Sequence, residues 1–151
     1  MKKIGMRCAC ACAVTLALAL AGCGDDDSKS NDPSSSSDEI EIEIEGSWTS
    51  EFGAEEISST SWAGSEVTMF DNDDNVAITR NPDDAEFDPG KYNRNVWTEP
   101  EGGSFYYCTP AYGLESEEDA LSSTAPADDS DPATNGCGEG SFAWTRLDAA
   151  D

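Results

Sequence analysis

The side chains most able to do chemistry in this 151-residue chain are carboxylates: 32 Asp+Glu stand against 8 Lys+Arg and no His, a formal net charge of -24. Asp71, Asp73 and Asn75 alternate like the first three ligands of a calcium loop. The pattern then fails, because Val76 stands where an EF-hand loop needs Gly and Pro82 where it needs a bidentate Glu. These three residues are weak calcium candidates, and a solvated loop is the preferred reading. Asp128, Asp129 and Asp131 form a second acidic cluster, read in the same way. Paired carboxylates can hydrolyse glycosides, but nothing in the order of residues singles out two of them. No catalytic residue is expected, and the chain is read as a non-enzyme.

The missing histidine removes whole classes of chemistry. A Ser-His-Asp or Cys-His nucleophile, an imidazole proton shuttle and a His-ligated metal or haem are all excluded. The acidity excludes nucleic acid as a partner, since that affinity comes from Lys and Arg facing phosphates.

The six cysteines divide by position. Lys2, Lys3 and Arg7 precede an apolar run from Cys8 to Ala21, the layout of a secretory signal and too short for a spanning helix of about 20 residues. The run ends in Leu20-Ala21-Gly22-Cys23, which resembles the lipobox of bacterial lipoproteins. That resemblance implies a diacylglycerol on Cys23, cleavage before it and an acyl chain such as palmitate on the new amino group. Two or three chains suffice for stable anchoring, at about 0.8 kcal/mol per buried CH2. Gly24 rather than Asp after the lipidated Cys implies the outer membrane or the cell surface. An ordinary cleavage after Ala21 is the competing reading. Cys8, Cys10 and Cys12 leave with the signal and Cys23 is spent on lipid, so Cys108 and Cys137 remain as an even pair. In an oxidising envelope such a pair predicts one disulfide, closing a loop worth about 3 to 4 kcal/mol in the chain-entropy account. A reactive thiol would need a neighbouring cation or imidazole to lower its pKa, and the sequence offers few.

The elements that must position these residues follow from composition. Residues 1–22 read as the signal, 23–38 as an acidic Ser/Asp-rich tether too polar to fold, and 39–151 as one small β domain. Glu39-Ile40-Glu41-Ile42-Glu43-Ile44-Glu45 alternates strictly and predicts a first strand with one buried face, or otherwise more tether. Further strands are predicted at 48–52, 56–62, 66–70, 76–80, 92–98, 104–109 and 142–147. Asp88-Pro89-Gly90-Lys91 suits a type II turn, and Glu99 to Gly103 closes a hairpin between Trp97 and Phe105. One helix is expected over 114–122, with Ser116 and Asp119 at capping-box spacing. The fold class is all-β: an antiparallel sandwich or barrel of about 7 to 8 short strands, one short helix and one disulfide. Its core is expected to draw on Trp48, Trp62, Trp97, Trp144, Phe52, Phe70, Phe105 and Phe142.

Two weaker resemblances bear on function. Gly46-Ser47-Trp48 is similar to the Gly-x-Trp opening of lipocalin-like and avidin-like barrels, although a turn glycine before a core tryptophan is the preferred reading. The segments Asn75-Val76-Ala77-Ile78, Val96-Trp97-Thr98-Glu99-Pro100, Phe105-Tyr106-Tyr107-Cys108-Thr109 and Ala143-Trp144-Thr145-Arg146-Leu147 resemble small lipoproteins of the myxobacterial type. That resemblance implies an anchored compact β domain and carries over no catalytic residue. The expectation is an envelope lipoprotein, anchored through Cys23, whose acidic domain meets an envelope protein or a glycan. The alternatives are a small-ligand or carbohydrate-binding barrel using Trp48, Trp97, Tyr106 and Tyr107, and a carboxylate hydrolase. No cofactor is expected beyond the covalent lipid.

Overall fold

The computed structural model describes residues 40–150. The signal, Cys23 and the tether lie outside the described residues. Among those described, the chain forms β1 (Gly46–Ser50), β2 (Gly53–Ser58), β3 (Ser61–Trp62), β4 (Ser65–Asp71), β5 (Val76–Arg80), β6 (Tyr92–Trp97) and β7 (Ser104–Leu114). Then follow helix α1 (Glu117–Ser122) and strands β8 (Gly136–Cys137), β9 (Phe142–Ala143) and β10 (Thr145–Ala149).

Eight of these strands close an antiparallel barrel in the order β1-β10-β7-β6-β5-β4-β3-β2, while β8 and β9 pair separately. Sandwich or barrel was open from the sequence, and the pairing of β1 with both β2 and β10 decides it. The turn chemistry explains why consecutive strands pair. Glu101 and Ser104 exchange backbone hydrogen bonds across Gly102 and Gly103, both at positive φ, as a two-residue hairpin between right-twisted strands requires. Lys91 N–H donates to Asp88 O across Gly90 at φ +68, as the type II reading expects.

An eight-stranded barrel has a lumen just wide enough for side chains to fill or for one small ligand. Here alternation along each strand fills one end. Trp48, Ile57, Val67, Ala77, Trp97, Phe105 and Leu147 pack together inside, with the Trp48 and Phe105 rings edge to face at 4.7 Å.

The alternating segment before β1 behaves differently from its expected role as a strand. Residues 40–45 form no strand, and Glu45 N–H donates to Ile42 O to close a turn. Ile42 and Ile44 plug the barrel end at 1% and 0% exposure, whereas Ile40 stays outside at 78%. The reason is that the barrel has closed: with β1 already paired on both sides, no free edge remains for another strand. The segment's backbone finds side-chain partners instead. Ile42 N–H donates to Ser59 Oγ and Glu43 N–H to Asn72 Oδ1, while Asn72 Nδ2 donates to Glu41 O.

Two predicted core residues are also corrected. Phe52 falls in the β1–β2 turn and Phe142 in the outer β8–β9 hairpin, so both rings are exposed. The helix begins at Glu117 rather than at residue 114, because β7 runs on to Leu114. Its capping residues are as expected: Ser116 Oγ accepts the Asp119 N–H, and Ala120 is the residue it buries. The Cys108–Cys137 disulfide forms with Cα atoms 6.3 Å apart, a normal span. It ties the outer hairpin to the external face of β7, where Cys108, Cys137 and Trp144 make a second small core with Val96 and Tyr106.

Candidate functional site: the open end of the barrel

The two ends of the lumen differ in chemistry. Glu41–Glu45 and the turns after β2 and β4 close one. The other lies beneath the β1–β2 turn, the β3–β4 turn and the β5–β6 loop, and it opens into a cavity of about 170 Å³. Trp62, Ala63, Ser65, Thr79, Asn93, Asn95, Tyr107 and Thr109 line it.

Strand alternation puts these residues there. Along β6, Asn93 and Asn95 share the inward face with Trp97, and along β7, Thr109 shares it with Phe105 and Tyr107. Polar groups facing a lumen require partners, and most have them. Thr109 Oγ1 donates to Asn95 Oδ1 at 2.7 Å, and Asn95 Nδ2 donates to Thr79 Oγ1 at 3.0 Å. Asn93 Nδ2 donates to Asn81 Oδ1, and Asn93 Oδ1 accepts the Gly113 N–H. The amide planes are therefore fixed before any ligand arrives.

Trp62 and Tyr107 form the aromatic wall, with ring centroids 5.3 Å apart. Glu55, inward from β2, joins them: one carboxylate oxygen accepts from Trp62 Nε1 at 3.3 Å and the other from Tyr107 OH at 3.1 Å. Burial, then the Glu55 charge and the hydrogen bond donated to it, raise the Tyr107 pKa well above its ordinary 10.0, so the phenol stays protonated as a donor. The residues that line the cavity are uncharged, and the Glu55 carboxylate is held behind Trp62 and Tyr107 by its bonds to both.

The residues proposed from sequence are scattered by the fold. Tyr107 lies in the open cavity. Trp48 and Trp97 belong to the filled end, and the Trp97 Nε1–H donates to Glu43 Oε1 of the plug. Tyr106 points outward and packs beside the disulfide. Asp71, Asp73 and Asn75 form the β4–β5 hairpin turn, in which Asp71 Oδ1 accepts the N–H groups of Asp73 and Asp74. Among the described residues, no group of three or more carboxylates or thiols is arranged to hold a metal ion.

Sequence reasoning passed over Thr79, Asn93, Asn95 and Thr109. A signal was present: Asn is poorly suited to strands, yet two of them alternate in step with the core residue Trp97. In comparisons with known proteins the chain matches no family, no curated protein and no solved structure.

Proposed function

We propose that this is a lipid-anchored protein of the bacterial envelope whose barrel holds a small neutral polyhydroxylated ligand, a single sugar unit, at its open end and does not transform it. The observation that carries the reading is the set of uncharged polar side chains facing inward at the open end, in a lumen where the Glu55 carboxylate is taken up by Trp62 and Tyr107. Residues placed against the local packing rule tend to mark functional sites. Fixed amides and hydroxyls suit neutral hydroxyl groups, and the Trp62 and Tyr107 faces suit the C–H face of a sugar ring. With no cation among the lining residues and the Glu55 carboxylate bonded to the aromatic wall, an anionic ligand is disfavoured, since its desolvation would go uncompensated. A cavity of about 170 Å³ has the bulk of about six waters at roughly 30 Å³ each, so it takes one small unit. Phe52 and Phe87, exposed on the β1–β2 turn and the β5–β6 loop, add rings around the same end.

The anchoring half rests on the signal and on Leu20-Ala21-Gly22-Cys23. Both halves are tested on the full chain expressed in a bacterial envelope. Titration with neutral mono- and disaccharides is expected to give a saturable change in tryptophan fluorescence, lost in Asn93→Leu. A flat response across the panel overturns the ligand reading. Cys23→Ala is expected to abolish labelling by a fatty-acid analogue and to release the protein from membranes. Unchanged labelling overturns the anchor.

A further inference from the structure

A second recognition surface lies outside the barrel. A groove of about 540 Å³ runs between the β4–β5 turn, the outward face of β6 and the segment after α1, and it is lined by Asp73, Asp74, Arg94, Asp129 and Trp144 among others. That volume falls in the ordinary range for small-molecule sites.

Two side chains that line this groove keep hydrogen-bond donors to spare. Arg94 is, among the described residues, the one cation without a carboxylate partner: Arg80 pairs with Asp83, Lys91 with Glu115 and Arg146 with Asp148. In a chain with 32 acidic residues that is informative. The Arg94 guanidinium has five N–H donors, and Nη1 donates to Leu121 O at 3.2 Å. The second donor is the Trp144 indole N–H. Trp144 is only 6% exposed, and its Nε1 is the single buried side-chain nitrogen or oxygen among the described residues that lacks a partner. A buried unpaired donor is unfavourable, a penalty that an arriving acceptor relieves.

Charge on the walls narrows the ligand. A simple anion would be drawn by Arg94 and Trp144 but repelled by Asp73, Asp74 and Asp129. A molecule carrying a carboxylate and an ammonium satisfies both sets, with the carboxylate on the donors and the ammonium against the aspartates. We propose that this groove binds zwitterions of the amino-acid class, free or as a dipeptide. The site is independent of the sugar reading, since the two cavities lie inside and outside the barrel and share no lining residue.

The disulfide shapes one wall. Ala127 pairs with Cys137, and Gly138 N–H donates to Pro126 O at 2.7 Å, so the Cys108–Cys137 bond holds the segment bearing Asp129 against β7. Gly138 is required there, because a Cβ would lie 2.8 Å from Pro110 O.

Calorimetry of the disulfide-intact protein with alanyl-alanine, its N-acetyl form and its C-terminal amide tests the proposal. Alanyl-alanine is expected to bind, and each blocked form to bind about tenfold more weakly or worse, the loss of one charge-assisted pair. Arg94→Gln, a partly exposed position that leaves the core untouched, is expected to weaken alanyl-alanine binding by a similar factor. Trp144→Phe removes the N–H together with one ring of the buried indole, and is expected to weaken alanyl-alanine binding by about fivefold or more. Thr109→Val, inside the barrel, is expected to leave this affinity unchanged. Equal binding of the blocked forms, undiminished binding by Arg94→Gln or no binding of alanyl-alanine overturns the assignment, and native near-ultraviolet dichroism of each variant excludes misfolding as the cause.

Discussion

The same strands build both ends of the barrel, yet the ends do opposite work. On β6 the inward face passes from Asn93 and Asn95 to Trp97, and on β7 from Thr109 through Tyr107 to Phe105. At the closed end large rings and the plug residues Ile42 and Ile44 leave no room for a ligand. At the open end smaller polar side chains, tied to one another, leave a cavity. The difference teaches that a small barrel can concentrate its stability at one end. The other end can then carry polar groups that a uniformly packed core would exclude.

The strongest way to break this comparison is at the closed end. Trp97→Ala removes a ring that is 2% exposed and is expected to destabilise the domain by about 3 to 5 kcal/mol, read from the midpoint of denaturant unfolding. A loss below about 1 kcal/mol would mean that the plugged end does not carry the fold. Thr109→Val at the open end deletes the bond to Asn95 Oδ1 while keeping the shape. It is expected to destabilise by only about 1 kcal/mol and yet to abolish the sugar-dependent fluorescence change. A larger loss of stability with binding intact would reverse the roles assigned to the two ends.

The smallest effect sharpens the boundary between them. Tyr107 has a folded-state pKa raised above 10.0, mainly by burial and then by Glu55. Above pH 10 the unfolded chain therefore loses this proton before the folded one does, and stability falls as pH rises. Below pH 10 the contribution is fully present. Tyr107→Phe is expected to flatten the alkaline limb of a plot of unfolding free energy against pH, and an unaltered limb would place the titration elsewhere.

Much of the fold was legible along the chain. Val76–Arg80 stands as expected, and Ser104 opens its strand where the hairpin turn before it requires. Both follow from strand alternation bounded by Asp, Asn, Pro and Gly, which is local information. The disulfide partners were legible by counting, since three cysteines follow the apolar segment and reading Cys23 as the lipid attachment point leaves Cys108 and Cys137. The candidate site was less legible. Which of Trp48, Trp62, Trp97 and Trp144 meets a cavity depends on how far along the barrel each inward position falls, and alternation gives the face but not the depth. Phe52 illustrates the same limit, because a turn displaced by two residues moves a ring from the core to solvent.

The sequence by itself determined an acidic, histidine-free, disulfide-bearing β domain, because composition, alternation and turn residues act within a few positions of one another. Only the tertiary structure decided that the sheet closes, that Ile42 and Ile44 become a plug rather than a strand, and that Arg94 and Trp144 share a groove. Those outcomes turn on β1 meeting β10, about a hundred residues apart in the chain. Closure leaves no edge for the preceding segment, so Ile42 and Ile44 turn into the apolar end of the lumen.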